Sequence, residues 1–193
     1  MNILQNRTFQ IAAALTALMA MTRFNHFGSA VALPDASYAI FFLAGLFLGR
    51  GRGAGAVLLL LLAGGVLIDC YAINFQNVSA WCVTPAYGLL QLAYLALWLI
   101  GRRFAPHYSL SLRGISGLAL ITAVACSVAF WIANVSFFLF AGYFDSMSLG
   151  EYISRVAGYH LSYVAVMLVY VGLAVGIHAL FAGVKQRHSI LTA

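Results

Sequence analysis

The chain has 193 residues, of which 64% are hydrophobic and only 7% charged, and it carries a formal net charge of +6. A soluble domain has about a quarter charged residues, so this composition excludes an ordinary soluble enzyme and points to a protein embedded in a bilayer. The apolar runs are unbroken and lack the alternation of barrel strands, so the predicted fold is an all-α integral membrane protein.

The first predicted span runs from Phe9 to Phe24. Arg7, the apolar run after it and "SAVA" at 29–32 resemble a signal peptide, but "TRFNHFG" is too long and too basic for the segment before a cleavage site, and the span is kept. The second and third spans, Ala36 to Gly49 and Ala54 to Ile68, are short. The glycine-rich "GRGRGAG" that joins them has no phosphate-loop lysine and reads as a turn. The fourth runs from Pro85 to Ile100, the fifth from Ile115 to Ala141 and the sixth from Val156 to Ala182, which makes one six-helix transmembrane domain over residues 1–193.

Basic residues set the orientation. Arg7, Arg50, Arg52, Arg102, Arg103, Arg113, Lys185 and Arg187 fall on one side of this arrangement, and Arg23 and Arg155 on the other. Both termini are therefore expected in the cytoplasm. The positive charge reflects membrane anchoring, with no nucleic-acid partner implied.

Three outward connections result, at 25–35, 69–84 and 142–155, and they hold most of the chemistry-bearing side chains. Cys82 stands out, next to Trp81 and just before Thr84-Pro85, which resemble an N-cap and the first helical position. A thiol near a helix start is expected to have a depressed pKa and enhanced reactivity. Plain packing fits Cys82 as well, an interfacial anchor fits Trp81, and Cys70 with Cys82 suits a disulfide on an oxidising face. Asp69 and Arg155 are ionisable groups near apolar surface, which have either a ligand or an ion-pair partner. His26 and His160 read as weaker candidates. Cys126 reads as packing, Asn134 and Gln91 as interhelical hydrogen-bonding residues, and His178 as a headgroup contact. No CxxC, HExxH, GxSxG or Walker lysine motif is present, which excludes ATP hydrolysis and conventional dithiol exchange.

Six short-looped helices with a polar, aromatic outer face resemble the substrate-binding S-components of energy-coupling-factor (ECF) vitamin transporters. Within that group "IDCYAINFQNVSAWCVTPAYG" is similar to the cobalamin-specific BtuM family. The resemblance implies an S-component-like bundle in the bacterial inner (cytoplasmic) membrane that binds vitamin B12. It puts an axial cobalt ligand at Cys82, with Asp69, Tyr87 and Arg155 in the pocket and His26 as a further candidate. It also implies a possible partner module of a coupling subunit and two ATPases, reached through Ala13 and Ala17 on the first helix, where Ala12, Thr16 and Ala20 form a second small-residue ridge. Cys82-assisted loss of cyanide from bound cyanocobalamin is a further expectation. Two other readings stay open: an S-component-like transporter of another vitamin or a metal ion, and a membrane thiol-redox or haem protein using Cys70, Cys82, His26 and His160.

Overall fold

The structure is a computed structural model that describes residues 7–23 and 33–191, with side chains described up to residue 183. His26 lies outside the described residues. Within them the chain forms α1 (Arg7–Thr22), α2 (Ser37–Leu48), α3 (Ala54–Phe75), α4 (Pro85–Phe104), α5 (Leu112–Phe140) and α6 (Leu149–Leu191), with short 3-10 turns at Ala80–Cys82 and Ala105–His107. Three of these, α3, α5 and α6 as far as Gly183, are long and apolar enough to cross a membrane.

The core is built around α2. Ile40, Phe41, Phe42 and Ala44 are fully enclosed, and α2 packs against each of the other five helices. Lipid is as apolar as a leucine, so burying such a helix gains little from the hydrophobic effect and depends on close van der Waals fit. Two glycines supply that fit. A side chain at Gly45 would run into the backbone carbonyl of Trp98 on α4, and one at Gly101 on α4 would run into that of Phe42. The α2 and α4 backbones therefore touch at two places just under one helical turn apart.

Local signals set the ends. Gly53 holds φ at 87°, a conformation few other residues adopt, where the basic turn enters α3. Ser111 caps α5 by accepting from the Gly114 amide at 3.1 Å. Pro85 occupies the first turn of α4 as expected, yet Thr84 provides no side-chain cap; its backbone carbonyl accepts from Tyr87 N at 2.8 Å, and its hydroxyl is buried without a partner.

Two of the boundaries that differ from the hydropathy reading bear on the site. Helix α3 continues past Ile68 to Phe75, so Asp69, Cys70 and Asn74 stand on helix and not in a connection. Likewise α6 begins at Leu149, which puts Glu151, Tyr152 and Arg155 on its first two turns. On α1 the two small-residue ridges separate: Ala13 and Ala17 are exposed, whereas Ala12 is buried, with Thr16 and Ala20 half-buried against the bundle.

Candidate functional site

A cavity of about 570 Å³ opens at the end of the bundle where α3 joins α4 and α5 joins α6. Four of the sequence-predicted residues, Cys82, Asp69, Tyr87 and Arg155, line it together although they come from four separate segments. Tyr38, Asp35, Tyr163 and Tyr159 line both this cavity and an adjoining one of about 230 Å³.

Arg23 organises the base of the site. It follows the last turn of α1 and is only 3% exposed. Its guanidinium makes a bidentate pair with Asp69, Nε to Oδ1 and Nη2 to Oδ2, both at 2.7 Å. Its Nη1 donates to Ser37 Oγ on α2 and to the Tyr94 hydroxyl on α4, both at 2.8 Å. Ser37 Oγ in turn donates to Asp35 at 2.6 Å. One cation thus ties together α1, α2, α3 and α4. A buried charge of this kind persists only with such complete pairing, because desolvating an unpaired guanidinium costs several kcal/mol, on the order of the whole stability of a small domain.

Asp69 is consequently engaged through both oxygens. Besides Arg23 it accepts from Tyr87 OH at 2.6 Å, which fixes that ring on the cavity wall. Arg155 differs: its Nη2 donates to Glu151 at 2.7 Å across one turn of α6, with both side chains largely exposed. Such a surface pair contributes at most about 1 kcal/mol, so Arg155 can turn toward a ligand with little cost. Asp69 and Arg155 therefore take separate partners, and Asp69 acts by holding Tyr87.

Cys82 sits at the rim on the 3-10 turn Ala80–Cys82, which Ser79 caps by accepting from Trp81 N at 3.2 Å. The turn is clasped to the opposite connection. Trp81 stacks on Tyr143 with ring centroids 5.0 Å apart and planes 7° from parallel, and Tyr143 OH donates to the Trp81 carbonyl at 3.2 Å. The thiol is exposed and free, as is that of Cys70. The expected depression of its pKa is not found. Burial against the apolar wall, and secondarily the Asp69 carboxylate, push the Cys82 thiol up. The start of α4 at Pro85 is three residues further on, and the partial charge of a helix end falls off within about one turn.

Most of the remaining candidates lie elsewhere. Cys126 is fully buried in the core. His160 does not line the cavity; its Nε2 is 2.9 Å from Ser127 Oγ, and its ring stacks against Trp131. His178 bonds the Tyr108 hydroxyl at 2.8 Å and so is held by the protein. Asn134 lines the cavity and bridges helices as expected, accepting from Tyr152 OH at 3.4 Å, while the buried Gln91 Oε1 has no partner. Among the described residues no group of three or more His, Cys, Asp or Glu side chains is placed to hold a metal ion.

No protein-family model matches this chain, and a search of the curated proteins finds no significant match.

Proposed function

We propose that the protein binds cobalamin in this cavity and takes part in its uptake across the bacterial inner membrane, with six helices spanning or filling the bilayer and both termini cytoplasmic. The observation that carries the reading is the free thiol of Cys82 on the rim of a large cavity rich in aromatic rings. A single soft donor is a poor site for a bare ion. It suits a metal that arrives already held in the plane by a macrocycle, leaving an axial position open. The aromatic walls suit the broad, largely apolar faces of a corrin.

Ligation forms a cobalt–sulfur bond and displaces a proton from Cys82. With cyanocobalamin the same event releases cyanide: the thiolate takes the axial position, the cobalt–carbon bond breaks with its electron pair on cyanide, and the thiol proton leaves as hydrogen cyanide. No change in the oxidation state of cobalt is required. An energy-coupling module docking on the exposed Ala13 and Ala17 face is part of the same reading.

The test is the absorption spectrum of protein purified from cells grown with cobalamin. The intact protein and Cys126→Ser are expected to show corrin bands shifted by an axial sulfur, and Cys82→Ser to lose the shift and most of the binding. Haem bands would replace this reading with the redox alternative, and an identical corrin spectrum in Cys82→Ser would remove Cys82 as the ligand.

A further inference from the structure

Tyr38, Tyr94 and Tyr163 form a contiguous group on the cavity wall, with ring centroids 6.3 Å apart between Tyr38 and Tyr94 and 5.6 Å apart between Tyr38 and Tyr163. Their hydroxyls differ from those of other tyrosines in the chain. Tyr87, Tyr143, Tyr152 and Tyr170 each donate to a protein oxygen, and Tyr108 is bonded to His178. Among the described residues no acceptor takes the proton of Tyr38, Tyr94 or Tyr163.

Tyr94 is the most telling of the three. It is 4% exposed, and Arg23 Nη1 donates to its oxygen, which leaves the O–H as its remaining capacity. Accepting from a guanidinium polarises that O–H and makes it a stronger donor. A secluded hydroxyl with no acceptor is unfavourable, and a phenylalanine fills nearly the same space without that penalty. The chain uses phenylalanine immediately alongside, where Phe41 stacks on Tyr94 and Phe130 packs edge-on against Tyr163.

We propose that Tyr38, Tyr94 and Tyr163 donate to carbonyl oxygens on the edge of the bound ligand and select neutral carboxamides there over carboxylates. The inference rests on the cobalamin reading, since a corrin of that class carries carboxamides around its rim. Preference for the neutral group follows from the charges behind the tyrosines. Among the described residues Arg23 is the cation at the base of the cavity and faces two acidic residues, Asp35 and Asp69, by direct or Ser37-bridged hydrogen bonds, while the other lining cation, Arg155, is offset by its own partner Glu151 on the exposed side. A carboxylate edge would bring further negative charge toward Asp35 and Asp69, whereas an amide accepts the same hydrogen bonds without it.

Cobinamide and cobyrinic acid separate these terms, because the first has amides where the second has carboxylates and neither has a nucleotide. Titrating purified protein with each should show tighter binding of cobinamide. Each of Tyr38→Phe, Tyr94→Phe and Tyr163→Phe should weaken cobinamide binding about two- to tenfold, the range for one hydrogen bond. The triple variant should lose more and should discriminate less between the two corrins. All variants keep the aromatic ring, so the axial-sulfur spectrum of bound corrin should survive in them, which loss of fold would not allow. If the triple variant cannot be purified, Tyr163→Phe, at the most open of the three positions, carries the test. Undiminished affinity in the Phe variants, or a preference for cobyrinic acid, overturns the donor array and leaves cobalamin binding standing; failure of the intact protein to bind any corrin overturns both.

Discussion

Burial and the Asp69 carboxylate hold the Cys82 thiol above its ordinary range, near pH 8.5 for a free cysteine, so at neutral pH the sulfur carries its proton. In the proposed ligation cobalt takes the thiolate, so the thiol proton has to leave. The sign follows directly. Below the thiol pKa, displacing an axial water leaves the bound state with one proton fewer than the free state, so apparent affinity for aquocobalamin rises with pH by about tenfold per unit between roughly pH 6 and 8, whereas with cyanocobalamin the proton leaves on cyanide and that slope is absent. Titrations with aquocobalamin across that range should show this slope in the intact protein and a flat profile for any residual binding by Cys82→Ser; a flat profile in both would mean that the sulfur does not ligate. The rate of cyanide release is expected to rise with pH because the fraction of attacking thiolate rises. At this scale the sequence exposed Cys82, Asp69, Tyr87 and Arg155 but not Arg23. A lone arginine at the end of an apolar run looks like a topology marker, and its partner lies 46 positions away, a separation to which no local spacing rule applies.

Helices were legible where apolar character alone defines them, and less so where a polar side chain is satisfied by the fold. The last turns of α3 carry Asp69 and Asn74, and the first turns of α6 carry Glu151 and Arg155, so hydropathy ends each helix early. In the structure these residues are met by Arg23, by the Cys70 carbonyl at 2.7 Å from Asn74 Nδ2, and by one another across a helical turn. The α2–α4 contact was likewise hidden, because Gly45 and Gly101 look like unremarkable small residues inside apolar runs. Their importance can be measured. Gly45→Val and Gly101→Val should each separate two backbones already in contact, lowering the melting temperature in detergent and the yield of folded protein; Gly55→Val, where a side chain meets nothing within 4 Å, should leave both unchanged. Equal stability of all three variants would show that the two helices do not pack as described.

For the whole molecule the distribution of basic residues predicts the face to which the cavity opens. Cysteines introduced at Gly51 and at Ser146, in a background lacking Cys70 and Cys82, should react with a membrane-impermeant maleimide from the cytoplasmic and the external side respectively. The reverse pattern would turn the cavity toward the cytoplasm and reject uptake in the proposed direction. In the proposed orientation the short central helix acquires a mechanical meaning. Helix α2 has 12 residues and is about 18 Å long, against 22 residues and about 33 Å for α3. Asp35, Ser37 and Tyr38, at its start, belong to the base of the cavity and its Arg23 network. The cavity therefore occupies depth that a full-length helix would have filled, and its occupant lies below the outer membrane surface from the moment it binds. On the proposed uptake, what separates that occupant from the cytoplasm is roughly the length of α2, so the proposed translocation would clear only about 18 Å of a hydrocarbon layer about 30 Å thick.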